Sequence, residues 1–146
     1  ANLMWAATMA LNGLIGCGVP QDWATHMLGH EITALHGLDH AQTLAVVMPS
    51  LMQAQRDVKR QKLLQYAERI WDLHDRDDDK RIDLAISRTR DFFESLGINT
   101  RLSDYGIGSE ALDALVAKLD QHGRYPLGER QDITLERSRT ILAAAI

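Results

Sequence analysis

Apolar residues recur every three to four positions along most of the chain, and no segment alternates apolar with polar residues over the length of a strand. This spacing turns one face of an α-helix towards a core. Glycine, proline and short polar runs separate the periodic segments and predict their ends. The pattern predicts an all-α, bundle-like domain of six to eight helices. The helical segments lie at about 2–12, 21–35, 40–54, 57–73, 79–96, 110–122 and 135–145.

The breaks between these segments carry residues with known preferences for helix ends. Pro20 suits the first turn of the second helix, and Gly37 suits the position just after its last residue. Asp39 is a good N-cap for the third helix, which Pro49 is expected to kink or divide. Thr134 is expected to cap the last helix.

The first helix, at about 2–12, begins at once with apolar residues and without an N-cap. We expect it to bury one face against other parts of the protein. The candidates for that face are Leu3, Trp5, Ala6, Met9 and Ala10. A rich apolar face directly at residue 1 indicates that the chain was part of something longer.

Composition and charge restrict the function. The 146 residues are enough for one domain with a core of its own. The net charge of −4 and the lack of a basic stripe exclude a nucleic-acid role. No apolar run reaches the length of a membrane span. Cys17 is the single cysteine and cannot form an internal disulfide, so a reducing, cytoplasmic location is expected, with Cys17 as a small buried residue.

Four of the six histidines lie between His26 and His40. His26 and His30 are four positions apart, which puts their Cβ atoms roughly 5–6 Å apart on one helix face. Two imidazoles at this spacing can bind one metal ion. Zinc-protease helices use the same spacing but need a glutamate directly after the first histidine, and Met27 stands there, so that mechanism is excluded. On spacing alone, a metal site and ordinary hydrogen-bonded structural histidines are equally good interpretations.

The remaining polar residues near this segment have less specific roles. His36 and His40 lie on either side of the predicted break. His26 and His40 would be about 21 Å apart along one unbroken helix, so they can share an ion only if the chain doubles back at 36–39. Asp22 could orient the His26 ring, although helix capping is the more common role. Glu31 is expected to point away from the metal. His74 and His122 are expected at the surface.

Two parts of the histidine segment carry a specific resemblance. The stretch GVPQDWATHMLGHE at 18–31, followed by HGLDHA at 36–41, resembles the second signature region of the iron-containing (group III) alcohol dehydrogenases. It is most similar to their NADPH-dependent aldehyde reductase branch, often described as butanol dehydrogenase-like. Less diagnostic similarity runs in the same order along essentially the whole chain, including 63–69, 92–97 and 102–106.

The resemblance implies a two-domain enzyme with an N-terminal α/β dinucleotide-binding domain and a C-terminal helical domain. It implies a divalent metal, iron or zinc, held by one aspartate and three histidines, of which His26 and His40 match two. His30 matches a histidine near the nicotinamide of the cofactor, with a role in proton relay or substrate positioning. It further implies NADP(H), a small aldehyde or alcohol as substrate, and a homodimer of the full-length protein.

The dinucleotide-binding half of such an enzyme has no counterpart in this sequence. There is no glycine-rich phosphate loop after a strand and no βαβ unit, and the upstream aspartate and histidine ligands are missing. We therefore expect residues 1–146 to be one helical metal-binding domain, inactive and weakly metal-binding by itself. The alternative is a stand-alone helical protein whose histidines are structural or bind metal without catalysis.

Overall fold

The computed structural model describes all residues, 1–146, and contains α-helices but no β-strand. The one strand-like feature is an isolated bridge between Leu127 and Ile133. Short 3-10 turns lie at Leu14–Gly16, Leu102–Tyr105 and Ser109–Ala111. None of the helices combines the length and the apolar composition needed to cross a bilayer. The seven helices are α1 (Asn2–Leu11), α2 (Ala24–His36), α3 (His40–Ala54), α4 (Arg60–Trp71), α5 (Asp78–Ser95), α6 (Leu112–Gln121) and α7 (Leu135–Ala143). The predicted all-α class is confirmed.

The main core lies between α2, α3, α6 and α7. Each helix contributes large aliphatic side chains, and the full burial of one such side chain stabilises the fold by about 1.5–3 kcal/mol. Because α2 packs against both α3 and α6, its position is determined from two sides. The best buried members are Leu28, Ile32, Val46, Val47, Leu115, Leu119, Ile141 and Leu142.

Helices α4 and α5 form an antiparallel pair beside this core. Leu63 from α4 and Ile82 and Ile86 from α5 pack against Met52 of α3 in a smaller cluster. The pair thus widens the bundle on the α3 side.

Most helix ends form where the sequence predicts them. Gly37 ends α2 in the left-handed conformation, at φ +73°, which explains why glycine stands there. Asp39 is the N-cap of α3, and its backbone N–H donates to Gln42 Oε1 at 3.0 Å. Thr134 Oγ1 accepts a hydrogen bond from the N–H of Arg137 at the start of α7.

The predicted position of Pro20 is wrong, and one of the two effects expected of Pro49 is absent. Pro20 does not lie in the first turn of α2, which begins four residues later at Ala24. Asp22 explains that start, because its Oδ1 atom accepts the Ala24 N–H at 2.7 Å. Pro49 does not divide α3, which is continuous from His40 to Ala54. Pro49 is itself buried, and packing of the residues around it maintains the turn despite one missing N–H.

The apolar residues expected on the first helix form no buried face within this chain. No residue of α1 is buried, and Leu3 and Trp5 are 84% and 68% exposed. Helix α1 is largely apolar and packs mainly against the turn at Leu14–Gly16. Cys17, expected to be buried, is exposed because the glycine-rich loop that carries it lies away from the core. The periodicity predicted the helix correctly, but nothing in these 146 residues covers it.

Candidate metal centre

The candidate site is built on the hairpin of α2 and α3. Only three residues connect the two helices, so α3 runs back along α2. The helices approach closely at Gly29, where an added Cβ atom would lie 2.8 Å from Thr43 Oγ1. This arrangement brings His40, the first residue of α3, alongside the histidines of α2.

Three histidine rings meet at the open edge of this hairpin. The ring centroids of His26 and His40 are 5.1 Å apart, and those of His30 and His40 are 5.3 Å apart. The centroids of His26 and His30, the pair four positions apart, are separated by 6.3 Å. His36 is exposed at the end of α2 and is not part of this cluster.

These separations can be compared with the needs of a metal ion. Two imidazoles that bind one ion at about 2.0–2.1 Å, with a near-tetrahedral angle, have centroids about 5 Å apart. The pairs of His26 with His40 and of His30 with His40 fit this requirement, whereas His26 with His30 would need an almost linear arrangement. The pair that spacing alone favours is therefore the least suitable. Which histidines are ligands stays a prediction.

The chain offers a pair of ligands and no more. No group of three or more His, Cys, Asp or Glu side chains is arranged to hold a metal ion. Structural zinc sites have four protein ligands and catalytic ones three. The donor type fits iron or zinc, since imidazole binds both, but the remaining ligands have to come from outside these residues.

The electrostatic surroundings favour neutral rings, the form that binds metals. Burial and the neighbouring His40 and His30 lower the pKa of His26. Burial, His40 and Arg124 lower the pKa of His30, while Glu31 acts in the opposite direction.

The cluster also differs from ordinary structural histidines. The histidines whose rings form hydrogen bonds within the chain are His74, to Asp72, and His122, to Glu31. The rings of His26, His30 and His40 form none, so their nitrogen atoms are free for a ligand.

An open cleft of about 340 Å³ lies next to His26. The Trp23 ring forms one side and meets the His26 ring edge-on, with centroids 5.0 Å apart. Trp23 Nε1 donates to Gln21 Oε1 at 3.1 Å, which holds the indole in place. Ile15 and Val19 add apolar surface. A small organic molecule in this cleft would lie directly against His26.

Asp22 caps α2 and forms no hydrogen bond with His26, in agreement with the more common role. Besides accepting from Ala24, it binds Lys59 Nζ at 2.6 Å, and Lys59 also binds Glu129 at 2.6 Å. Burial raises the pKa of Asp22, but hydrogen bonds from Lys59 and Ala24 outweigh it and leave the pKa below its usual value. This contact anchors the start of α2, next to His26, to the beginning of α4.

Sequence reasoning missed the surroundings of Glu31. This carboxylate contacts none of the three clustered histidine rings, as expected, but its side chain is only 2% exposed. His122 Nδ1 lies 2.9 Å and Arg124 Nη1 3.5 Å from its Oε1 atom. His122, expected at the surface, is 41% exposed and bonded to Glu31. No sequence signal links partners that are 91 residues apart.

Comparison with known proteins identifies the family. The whole chain, residues 1–146, matches the Fe-containing alcohol dehydrogenase family, C-terminal. It is 65% identical to the NADPH-dependent aldehyde reductase YqhD of Escherichia coli, over 99% of this chain and 38% of the relative. It is 32% identical to the NADH-dependent butanol dehydrogenase A of Clostridium acetobutylicum, over 93% of this chain and 36% of that enzyme.

A solved structure agrees with the sequence comparison. The substrate- and cofactor-free form of the aldehyde reductase YqhD from E. coli superimposes with a TM-score of 0.97 at 63% identity, covering 99% of this chain and 38% of the other. The chain thus spans well under half the length of the relatives it matches. The predicted relationship to the aldehyde reductase and butanol dehydrogenase branch is confirmed, and the chain belongs to the iron-containing alcohol dehydrogenase family, as part of its C-terminal helical domain.

Proposed function

We propose that this chain is the metal-holding helical domain of a longer NADP-dependent aldehyde reductase or alcohol dehydrogenase. The observation that carries the proposal is the 5.1 Å separation of the His26 and His40 rings, which the hairpin brings together. The ring nitrogens of His26, His30 and His40 bind no group of this chain, which leaves them available to a metal ion. The 65% identity to an NADPH-dependent reductase supports the choice of cofactor.

In this proposal His26 and His40 hold a divalent metal, iron or zinc. The bound ion supplies Lewis acidity towards a carbonyl oxygen, and the reduced nicotinamide supplies a hydride. Trp23 and the cleft beside His26 receive the carbon chain of a small aldehyde.

His30 is the candidate for proton transfer. Its ring lies beside that of His40 without binding a protein group. Its lowered pKa favours the neutral ring, whose free nitrogen accepts a proton from the alcohol during oxidation. In the direction of reduction, the same ring passes a proton from solvent to the substrate oxygen.

The rest of the site is assigned to chain outside these residues. The missing ligands, the dinucleotide-binding domain and the dimer partner belong to that part, so the isolated chain is expected to be inactive and to bind metal weakly. The mass of the protein isolated from its source tests this assignment. A mass about two and a half times that of this chain is expected from the coverage of the relatives. A mass equal to that of this chain would favour the stand-alone alternative.

Substitutions in the full-length protein separate the proposed roles. We expect His26→Ala and His40→Ala to abolish metal retention, measured as metal per protomer after dialysis. His30→Ala should keep the metal and lower kcat by roughly 10²–10⁴, the usual contribution of a proton-transfer residue. His36→Ala, four residues from His40 but outside the cluster, is the matched control and should change neither. Equal metal loss from all three cluster variants would contradict the assignment.

A further inference from the structure

Glu31 is a buried charge directly beside the candidate site, and the proposed mechanism does not use it. Its side chain is 2% exposed, which is rare for a carboxylate unless it is paired. Its partners are the imidazole of His122 at 2.9 Å and the guanidinium of Arg124 at 3.5 Å. Both partners come from the segment that follows α6, so one side chain of α2 is tied to a distant part of the fold.

The contact of Glu31 with His122 and Arg124 restricts the rotation of α2 about its own axis, which apolar packing restricts poorly. Aliphatic contacts between α2 and α6 are not directional and permit small rotations of a helix about its axis. A carboxylate that is hydrogen-bonded to His122 and lies 3.5 Å from the Arg124 guanidinium has a defined direction. Because consecutive residues in a helix point about 100° apart, the direction of Glu31 determines that of His30 immediately before it.

Arg124, one of the two partners of Glu31, also acts on His30. Its positive charge contributes to the low pKa of His30, as does His40. The ring of His40, at the start of α3, lies beside that of His30 at 5.3 Å, and Arg124 belongs to the segment after α6 that Glu31 contacts. Glu31 connects α2 with that segment.

Helix α2 is anchored by different contacts at its start and in its second half. Asp22 and Lys59 anchor its start, close to His26. Glu31 anchors its second half, close to His30. Loss of the Glu31 tether should therefore disturb His30 more than His26.

We propose that Glu31 is a positioning residue of this enzyme, which holds His30 towards the substrate side of the cluster through its bonds to His122 and Arg124. The proposal rests on the function proposed for His30. It assigns Glu31 no contact with metal, substrate or cofactor, and it predicts an effect on turnover that is separate from metal retention.

The test replaces Glu31 by Met in the full-length holoenzyme. Methionine is similar in volume and apolar, and His122 and Arg124, each about 40% exposed, can turn towards water. The thermal midpoint and the metal content should therefore stay near those of the parent protein. We expect kcat to fall roughly 10- to 100-fold, as is typical for misplaced reacting groups, with little change in the KM for the aldehyde. Glu31→Gln, which can still bind His122, should recover part of the loss.

A double-mutant cycle with His30→Gln distinguishes positioning from a general structural role. If Glu31 acts through His30, adding Glu31→Met to His30→Gln should cause no further loss of kcat. Additive losses, loss of metal, or an unchanged kcat in Glu31→Met would overturn the positioning role while leaving that of His30 intact. An unchanged kcat in His30→Gln alone would overturn both. Asp113→Asn, which removes an exposed ion pair between α6 and α7, is the control and should leave kcat unchanged.

Discussion

The two helical hairpins of this chain use their polar side chains in opposite ways. In the α2–α3 hairpin, a three-residue connection joins helices that are deeply embedded, and eight residues of α3 are buried. In the α4–α5 hairpin, only two residues of α4 are buried, and ion pairs of Arg60 with Asp78 and Asp79 link the helices at the surface.

The difference explains where chemistry can be located. Many of the charges of α4–α5 pair with one another at the surface, as Arg60 does with Asp79 and Arg81 with Asp78. The histidines of α2–α3 stand at the edge of a tightly packed frame, and no carboxylate binds their rings. A binding site needs groups that are held rigidly but remain unpaired, and only the first hairpin meets both conditions. Substitutions should therefore affect the two hairpins to different degrees.

The close approach of α2 and α3 gives the largest expected effect on stability. Gly29→Ala would place a Cβ atom 2.8 Å from Thr43 Oγ1 and 3.3 Å from Thr43 Cβ. Thr43 is buried and its hydroxyl donates to the carbonyl of His40, so it cannot move aside freely. We expect a loss of about 3 kcal/mol in the free energy of unfolding, the upper part of the range for overpacking. Urea unfolding of the chain measures this loss.

The sign of this result is diagnostic, because alanine normally stabilises a helix interior by up to about 1 kcal/mol relative to glycine. Thr43→Ala in the same chain should restore much of the stability by removing the obstructing atoms. A Gly29→Ala variant more stable than the parent would show that the two helices are not tightly packed at the histidine site.

The second largest effect on stability is expected at Lys59, which links Asp22 and Glu129. Lys59→Met removes the shared partner of Asp22 and Glu129, whose side chains are 23% and 27% exposed. Two partly buried carboxylates are then left without their cation, and we expect a loss of about 2 kcal/mol. Urea unfolding near pH 7 measures it. Glu68→Gln, on the exposed side of α4, serves as the matched control and should change little.

The pH dependence sharpens this prediction. Burial lowers the pKa of Lys59, but its hydrogen bonds to Asp22 and Glu129 raise the pKa by more than burial lowers it. The pKa of Lys59 is therefore above its usual value. Asp22 has a pKa below its usual value. The stability from this contact is therefore complete between about pH 4 and 10. It is lost as the pH falls through the folded-state pKa of Asp22 or rises through that of Lys59. The difference between parent and Lys59→Met should be flat over this interval and shrink at both ends.

The features of the fold that the sequence predicted correctly are those that local interactions determine. Helix α3 was predicted at 40–54 and extends from His40 to Ala54. Its start is local, because Gly37, which ends α2, and Asp39, the N-cap of α3, lie within three residues of His40. The break between α2 and α3 allows the chain to double back, which is the condition that helix geometry sets for His26 to approach His40. The exposure of Cys17 was missed, since it depends on what covers a segment and not on its own residues.

The site itself was only partly predictable. Spacing favoured His26 with His30, but helix geometry separates these rings by 6.3 Å, so the better-placed partner is His40 from the next helix. The resemblance to a known family pointed to that partner, and spacing could not. The contact between Glu31 and His122 depends on the packing of α2 against α6, for which one sequence carries no signal.

The smallest effect is expected from the exposed charges of α4–α5. Asp79→Asn removes the partner of Arg60 and weakens the contact with Arg56. Water and salt already screen such exposed pairs, and long side chains lose entropy when they are held together. The thermal midpoint of the variant should be almost that of the parent at low salt and indistinguishable from it at high salt. Asp91→Asn, an exposed change on the same helix without an ion pair, is the control. A large loss that persists at high salt would mean that charge pairs hold this hairpin together, and the contrast with the packed histidine hairpin would disappear.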